Sequence, residues 1–257
     1  MLGWELPPFI SGGLGTACYG LTKALDGLGV GVIFVLPRVS ASQYTGNIKM
    51  LGAQDIAESE QVMAAGFKNI KFRTITSELR PYAKPDSYYQ TQQTQRAKAS
   101  VYISGGQTEF ETGHYSGDMY TQVYSYAEKV AKIAANEDFD IVHAHDWMTY
   151  PAAIASGNIS SKPLVVQVHS TEFDRSGEHV NQMIYDIERQ GMHLANKIIA
   201  VSNYTKNIIT SRYGISPDKV EVVYNAVNNN VTNGESADNS AFKKTGKIVL
   251  FLGRITI

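Results

Sequence analysis

Cysteine is almost missing from this chain: Cys18 is the single one in 257 residues, which excludes an internal disulfide and fits a cytoplasmic setting. Long apolar runs are missing too. None approaches the ~20 residues that cross a bilayer, so no integral membrane segment is expected. The N-terminus has no basic stretch followed by an apolar core, and no signal peptide is read there. Charge is sparse at 18% of residues and nearly balanced, with a net of −1. That balance argues against a general binder of nucleic acid or of membrane surfaces. Several catalytic signatures are also absent: there is no Gly-x-Ser-x-Gly elbow, no His-Glu-x-x-His and no P-loop.

What is present suits a folded enzyme-sized domain. Hydrophobic residues make up 43% of the chain, enough to bury a full core in one large domain or two small ones. Apolar runs alternate with helical patterns about six times. Strands are read at Met1–Trp4, Val30–Leu36, Asn69–Thr76, Phe139–Ala144, Pro163–His169, Lys197–Val201 and Val220–Tyr224. Helices are read at Thr16–Leu28, Met119–Asn136, Trp147–Ser156, Gly177–Ala195 and from Ser202 to Arg212. Continuous apolar strands with intervening helices imply an α/β fold, a doubly wound parallel sheet covered on both faces. Residues 77–118 break the pattern: they are polar, rich in Gln, Thr, Ser and Tyr, and read as an insertion carrying a strand at Ser100–Ser104 and a flap. Residues 225–246 read as a linker, and 247–257 as the first strand of a second domain.

In a doubly wound sheet ligands sit beyond the carboxyl ends of the strands, and that edge collects the polar candidates. Gly12, Gly13 and Gly15 stand in a turn leading into a helix. Glycines let a ligand approach the backbone, and the helix start offers free N–H groups, a seat for a phosphate or a sugar hydroxyl. The alternative is a strand-to-helix turn with no ligand. It is not a dinucleotide fingerprint, because Cys18 stands at the third glycine position and no acid closes the next strand. His143 and His145 share one face of a strand, and Asp146 follows where it would cap a helix. His143 is read as a packed core residue and His145 as the one nearer the cleft. His169, Ser170 and Thr171 follow the next strand and suit hydroxyl recognition, or a capped turn. Ser202 is read as a helix cap, and Asp174, Arg175 and Glu178 as a solvated charge cluster. His143, His145, Asp146 and His169 also allow a metal-dependent hydrolase.

Six segments together resemble a known family: GWELPPFISGGLGTACYGLTKAL, FDIVHAHDW, VVQVHSTEFD, IIAVSNYTKNII, VEVVYNAVNNN and VLFLGRIT. In order and spacing over 1–36 and 139–257, they resemble the retaining, nucleotide-sugar-dependent glycosyltransferases of the two-Rossmann-domain GT-B fold, and among them the glycogen and starch synthase-like group. Residues 40–118 carry none of this resemblance. It implies that residues 1–224 are the acceptor-side Rossmann-like domain and that a donor-binding domain begins at 247. Gly12, Gly13 and Leu14, with Gly15, would face the donor diphosphate and acceptor. His145 would contact the transferred sugar, with Asp146 and Trp147 shaping its surroundings; His169 and Thr171, read from the residues themselves, are the further substrate-binding candidates. Arg254 would begin a cationic clamp on the diphosphate. The implied partners are UDP- or ADP-glucose as donor and a glucan or other saccharide as acceptor, with transfer by front-face attack and no cofactor or metal required. With the second domain nearly absent, the chain alone is expected to show negligible transfer. A non-catalytic glucan-binding module, using the tyrosines of 77–118, is a further alternative.

Overall fold

The computed structural model describes residues 1–7, 12–39, 66–77 and 119–226. All fall in one of two units of the chain, Met1–Ala226, while Val227–Ile257 forms the other and lies outside the described residues. The expected insertion, the strand at Ser100–Ser104, most of the linker, the strand from 247 and Arg254 lie outside them as well.

In chain order the elements are α1 (Gly13–Gly27), β1 (Val32–Val39), β2 (Ile70–Ser77), α2 (Met119–Ala134), β3 (Val142–His145), α3 (Tyr150–Ser160), β4 (Leu164–Val168), α4 (Glu172–Ser176), α5 (Gln182–Leu194), β5 (Lys197–Ala200), α6 (Asn203–Tyr213) and β6 (Val220–Val222). β1 pairs with β2, and β3, β4, β5 and β6 pair in that order, all in parallel. Leu2 joins the two groups. It bridges Val35 of β1 on one side and Ala144 of β3 on the other, again in parallel. The order β2-β1-Leu2-β3-β4-β5-β6 is a doubly wound α/β sheet, as the alternation of runs implied.

The expected first strand, Met1–Trp4, shrinks to that single bridging residue. Leu2 N–H donates to the His143 carbonyl (2.7 Å) and the Leu2 carbonyl accepts from His145 N–H (3.0 Å). Trp4 then turns out of the ladder to pack edge-on against Tyr126, and both are buried.

β1 also differs from expectation, since Pro37 does not end it. The strand runs through Pro37, opposite Ile75, to Val39. Parallel strands aim alternate residues' backbone groups to opposite sides. Val35 exchanges its bonds with Met1 and Gly3, so Pro37 faces the same side, past the end of the Leu2 segment. There is no ladder bond there for the missing N–H to break.

The helix expected at 177–195 starts five residues later, as α5, and the short α4, which the sequence reading did not include, precedes it. Gly177, at φ +60°, stops α4, and the Asn181 side chain caps α5 by accepting from the N–H groups of Met183 and Ile184.

The core has two parts, one on each sheet face. Phe34 and Leu36 of β1 and Phe72 of β2 pack with Cys18 of α1. Val35, the intervening residue of β1, packs with Val123 and Val130 of α2 and with α3 and α5 beyond. That alternation is the period of two expected of a strand buried on both faces. Among the described residues no helix is long and apolar enough to cross a membrane.

Candidate functional site

Strand order reverses at Leu2. The chain leaves Leu2 toward α1 and β1 on one side, while β3 opens the other half of the sheet. A crevice at the carboxyl ends of the strands belongs at such a switch point. The glycine turn and the residues after β3 and β4 are the segments at that edge.

Glu5 organises the glycine turn. It is 1% exposed, and its Oε2 accepts from the N–H groups of Gly12 (3.1 Å) and Gly15 (3.3 Å). The carboxylate thus caps α1 from outside the helix, at the positive end of the dipole. Part of the seat expected for a phosphate is already filled by the protein's own anion. The N–H groups of Gly13 and Leu14 have no partner among the described residues. Gly13 is exposed, and a Cβ built on it would meet nothing within 4 Å.

The two histidines of β3 exchange the places expected of them. His145 is 0% exposed, whereas His143 is only half-buried although its Nε2 is buried. Both lie on one face of β3 with ring centroids 4.5 Å apart. His145 Nδ1 is 3.1 Å from His169 Nε2, and His145 Nε2 has no partner among the described residues. Burial holds His143 neutral, down to about 4. Burial and the neighbouring His143 and His169 rings push His145 well below the usual imidazole range. In this arrangement His145 reaches the crevice through half-buried His169, not by direct exposure. α1 approaches the imidazoles: Cys18 Sγ lies within 4.8 Å of ligand nitrogens of both His145 and His169.

Asp146 has φ 58° and ψ 167°, a conformation close to glycine territory. Four bonds hold it there. Its N–H donates to the Gln167 carbonyl (3.0 Å) and Oδ1 accepts from His169 N–H (2.7 Å). Its carbonyl accepts from the N–H and hydroxyl of Thr149 (3.0 and 2.9 Å). The sequence reading made Asp146 the cap of a helix. Instead a 3-10 turn, Trp147–Thr149, intervenes, and the side chain makes no capping bond. The carboxylate ties β3 to the turn after β4.

Thr171 is fully buried and donates both N–H and hydroxyl to Asp174 Oδ2 (2.7 and 2.9 Å), so it forms the capped turn and not a hydroxyl-binding group. Arg175 is no solvated charge. It donates to Glu172 (3.0 Å), to Ser170 Oγ (2.9 Å) and to Glu188, which also accepts from the Tyr213 hydroxyl and Glu172 N–H. Burial pushes Glu188 up to about 7 against the pull of Arg175. Glu178 pairs with Arg212 on the surface, and Ser202 caps α6 by accepting from Thr205 N–H (3.0 Å). Sequence reasoning passed over Glu5 and Glu188, and it took Cys18 only as the break in the glycine pattern and Arg175 as solvated. Glu188 alone left a signal: it shares the buried face of α5 with Ile184, Ile187 and Gly191. Among the described residues the four residues of the hydrolase alternative do not gather as one set; the group whose ligand atoms lie together is Cys18, His145 and His169.

An uncharacterized glycosyltransferase of Methanocaldococcus jannaschii is 29% identical over 140 residues, half of this chain and 36% of that protein. The glycogen synthase of Mycobacterium tuberculosis is 22% identical over 233 residues, 88% of this chain and 47% of that protein. This chain therefore spans less than half the length of either relative. Among solved structures, Anabaena HepE in complex with UDP and glucose covers 90% of this chain and 44% of its own, at 15% identity and a TM-score of 0.49. Sucrose-phosphate synthase of Thermosynechococcus elongatus covers 87% and 46%, at 12% identity and a TM-score of 0.46. Residues 100–231, just over half of the chain, match the sequence model of Glycosyltransferase Family 4, and the chain belongs to that family.

Proposed function

We propose that this chain is the acceptor-side half of a retaining glycosyltransferase that moves glucose from UDP- or ADP-glucose to the end of a glucan, in the manner of a glycogen synthase. Family membership supports sugar transfer, and the 22% identity to a glycogen synthase over 88% of the chain supports the choice of substrates. The observation that carries the reading is the meeting of three segments at the switch point: the start of α1, the end of β3 and the turn after β4.

Charge sorts the two ligands proposed for the glycine turn. Glu5 offsets the dipole of α1 and opposes a phosphate there. The N–H groups of Gly13 and Leu14 then suit a neutral sugar hydroxyl. Asp146 and His169 face each other across a bond that fixes both, and each keeps part of its surface exposed. A carboxylate and a ring nitrogen held this way accept and donate to vicinal hydroxyls. His145 acts as a positioning residue through its contact with His169. The diphosphate-binding part of the reaction would fall to residues beyond 226, Arg254 among them.

Calorimetric titration of the 257-residue chain with maltoheptaose, in parallel with a phosphate-free hexose series, tests this. Saccharide binding is expected, weakened about tenfold or more in His169→Ala, the size of one lost charge-independent hydrogen bond in a closed site. Absence of saccharide binding in the wild-type chain would refute the acceptor-side assignment.

A further inference from the structure

The turn after β4 hangs between two carboxylates. Asp146 holds its start, where Oδ1 accepts from His169 N–H (2.7 Å). Glu188 of α5 holds its end twice. Oε2 accepts from Glu172 N–H (3.0 Å), and Oε1 accepts from Arg175 Nη2, while Arg175 Nη1 donates to Ser170 Oγ (2.9 Å). Glu188 has no part in the saccharide contacts above. It is 1% exposed, so it acts on a ligand only through what it holds.

The three groups on the Glu188 carboxylate all donate to it: Arg175 Nη2, the Tyr213 hydroxyl and Glu172 N–H. These bonds suit the ionised form, and a proton on the carboxyl must reverse or displace one of them. Burial opposes the charge and pushes the group up to about 7 against their pull, so both forms are populated near neutrality. The charged and titratable groups facing it are Arg175 and Glu172 of α4, Tyr213 of α6 and Tyr150 of α3. Burial holds both tyrosines neutral. Burial also works against the charge on Arg175, and Glu188, Asp146 and Glu172 together outweigh it.

We propose that Glu188 is a positioning residue for the saccharide site: ionised, it holds Arg175 against Ser170 and so fixes the turn that carries His169. Protonated, it releases Arg175, and the turn loses one of its two anchors. On the acceptor-side assignment above, on which this rests, saccharide binds more tightly above about pH 7 and more weakly as pH falls below it.

Calorimetric titration of the 257-residue chain with maltoheptaose, repeated from about pH 5.5 to 8.5, tests this. Wild-type affinity should rise at least about fivefold across that range, with its midpoint near 7. Glu188→Gln cannot ionise and should stay at the low wild-type value throughout. A titration arising elsewhere in the crevice shows in both proteins and cancels in their ratio. Tyr213→Phe keeps the ring but removes one donor from the ionised carboxylate. Its midpoint should move to higher pH, with the affinity at the alkaline end unchanged. A merely structural role for Glu188 would lower affinity by one factor at every pH. Affinity that does not change with pH in the wild type, or a profile shared with Glu188→Gln and unmoved in Tyr213→Phe, would overturn the proposal and leave saccharide binding intact. No binding at any pH would overturn the acceptor-side assignment and the proposal with it.

Discussion

Replacing Glu5 by glutamine tests the cap on α1 most sharply. Glutamine keeps the shape and one acceptor oxygen, so both contacts, at 3.1 and 3.3 Å, can persist. What is lost is charge. A charged acceptor makes bonds stronger than a neutral one by about 1 kcal/mol each, and charge at a partly buried helix N-terminus contributes up to about 2 kcal/mol. Neutralising a side chain that is 1% exposed also removes a desolvation cost, which acts in the opposite direction. The net expectation is a loss of about 1–2 kcal/mol, seen as a lower urea midpoint at unchanged slope by far-UV circular dichroism. For a domain of this size that is a fall in Tm of about 3–6 °C. Glu5→Ala should cost more, about 3–5 kcal/mol, since it leaves the buried Gly15 N–H unpaired and opens a cavity. Glu5→Gln should also raise affinity for inorganic phosphate, because the repelling charge is gone. A glutamine variant as stable as wild type, with no gain in phosphate binding, would refute the claim that Glu5 holds the positive end of α1.

Asp146→Gly should be more stable than Asp146→Ala by about 1–3 kcal/mol in the same urea assay, since both lose the bond to His169 N–H but only glycine relieves φ 58°. Equal stabilities would mean the backbone carries no strain. Glu188, held up near 7 by burial, binds its proton more tightly folded than unfolded. Its contribution to stability is therefore full below about pH 4.5 and is lost as pH rises toward 7. Relative to Glu188→Gln, the wild type should lose roughly 1–3 kcal/mol across that window, and a pH-independent difference would contradict it. Gly191→Ala drives a Cβ to 2.3–2.7 Å from the side chain of buried Tyr150 and should destabilise by at least about 1–3 kcal/mol. A thermal scan showing no change in Tm would show that the two helices yield freely.

The strands were legible because a parallel strand buried on both faces reads as an unbroken apolar run, as at Val32–Leu36 and Leu164–Val168. The edge holding the site was legible for the same reason, since polar motifs at run ends must fall on one side of the sheet. The burial of each histidine was not. Period two places His143 and His145 on one face, but which is covered depends on α1, packed from far away in sequence. Glu5 sits in Gly-Trp-Glu-Leu-Pro-Pro with no periodic signal, and its partners are set only when the chain turns back. Cys18 was read only as the lone cysteine and as the break in the dinucleotide glycine pattern, because its approach to His145 and His169 is set by residues far along the chain. Arg175 looked solvated beside Asp174 and Glu178. Its buried partner Glu188 lies 13 residues on, in α5, while Arg175 stands in α4, a short helix outside the one expected at 177–195.

The account rests on a saccharide-binding crevice at the switch point of the sheet. Amide chemical-shift mapping of the 257-residue chain during a maltoheptaose titration locates it directly. The account predicts shifts concentrated at Gly13, Leu14, Asp146, His169 and Ser170. Shifts confined to the opposite edge of the sheet, around Gly31, Lys71 and Asp140, or none at any residue of the glycine turn, would contradict it.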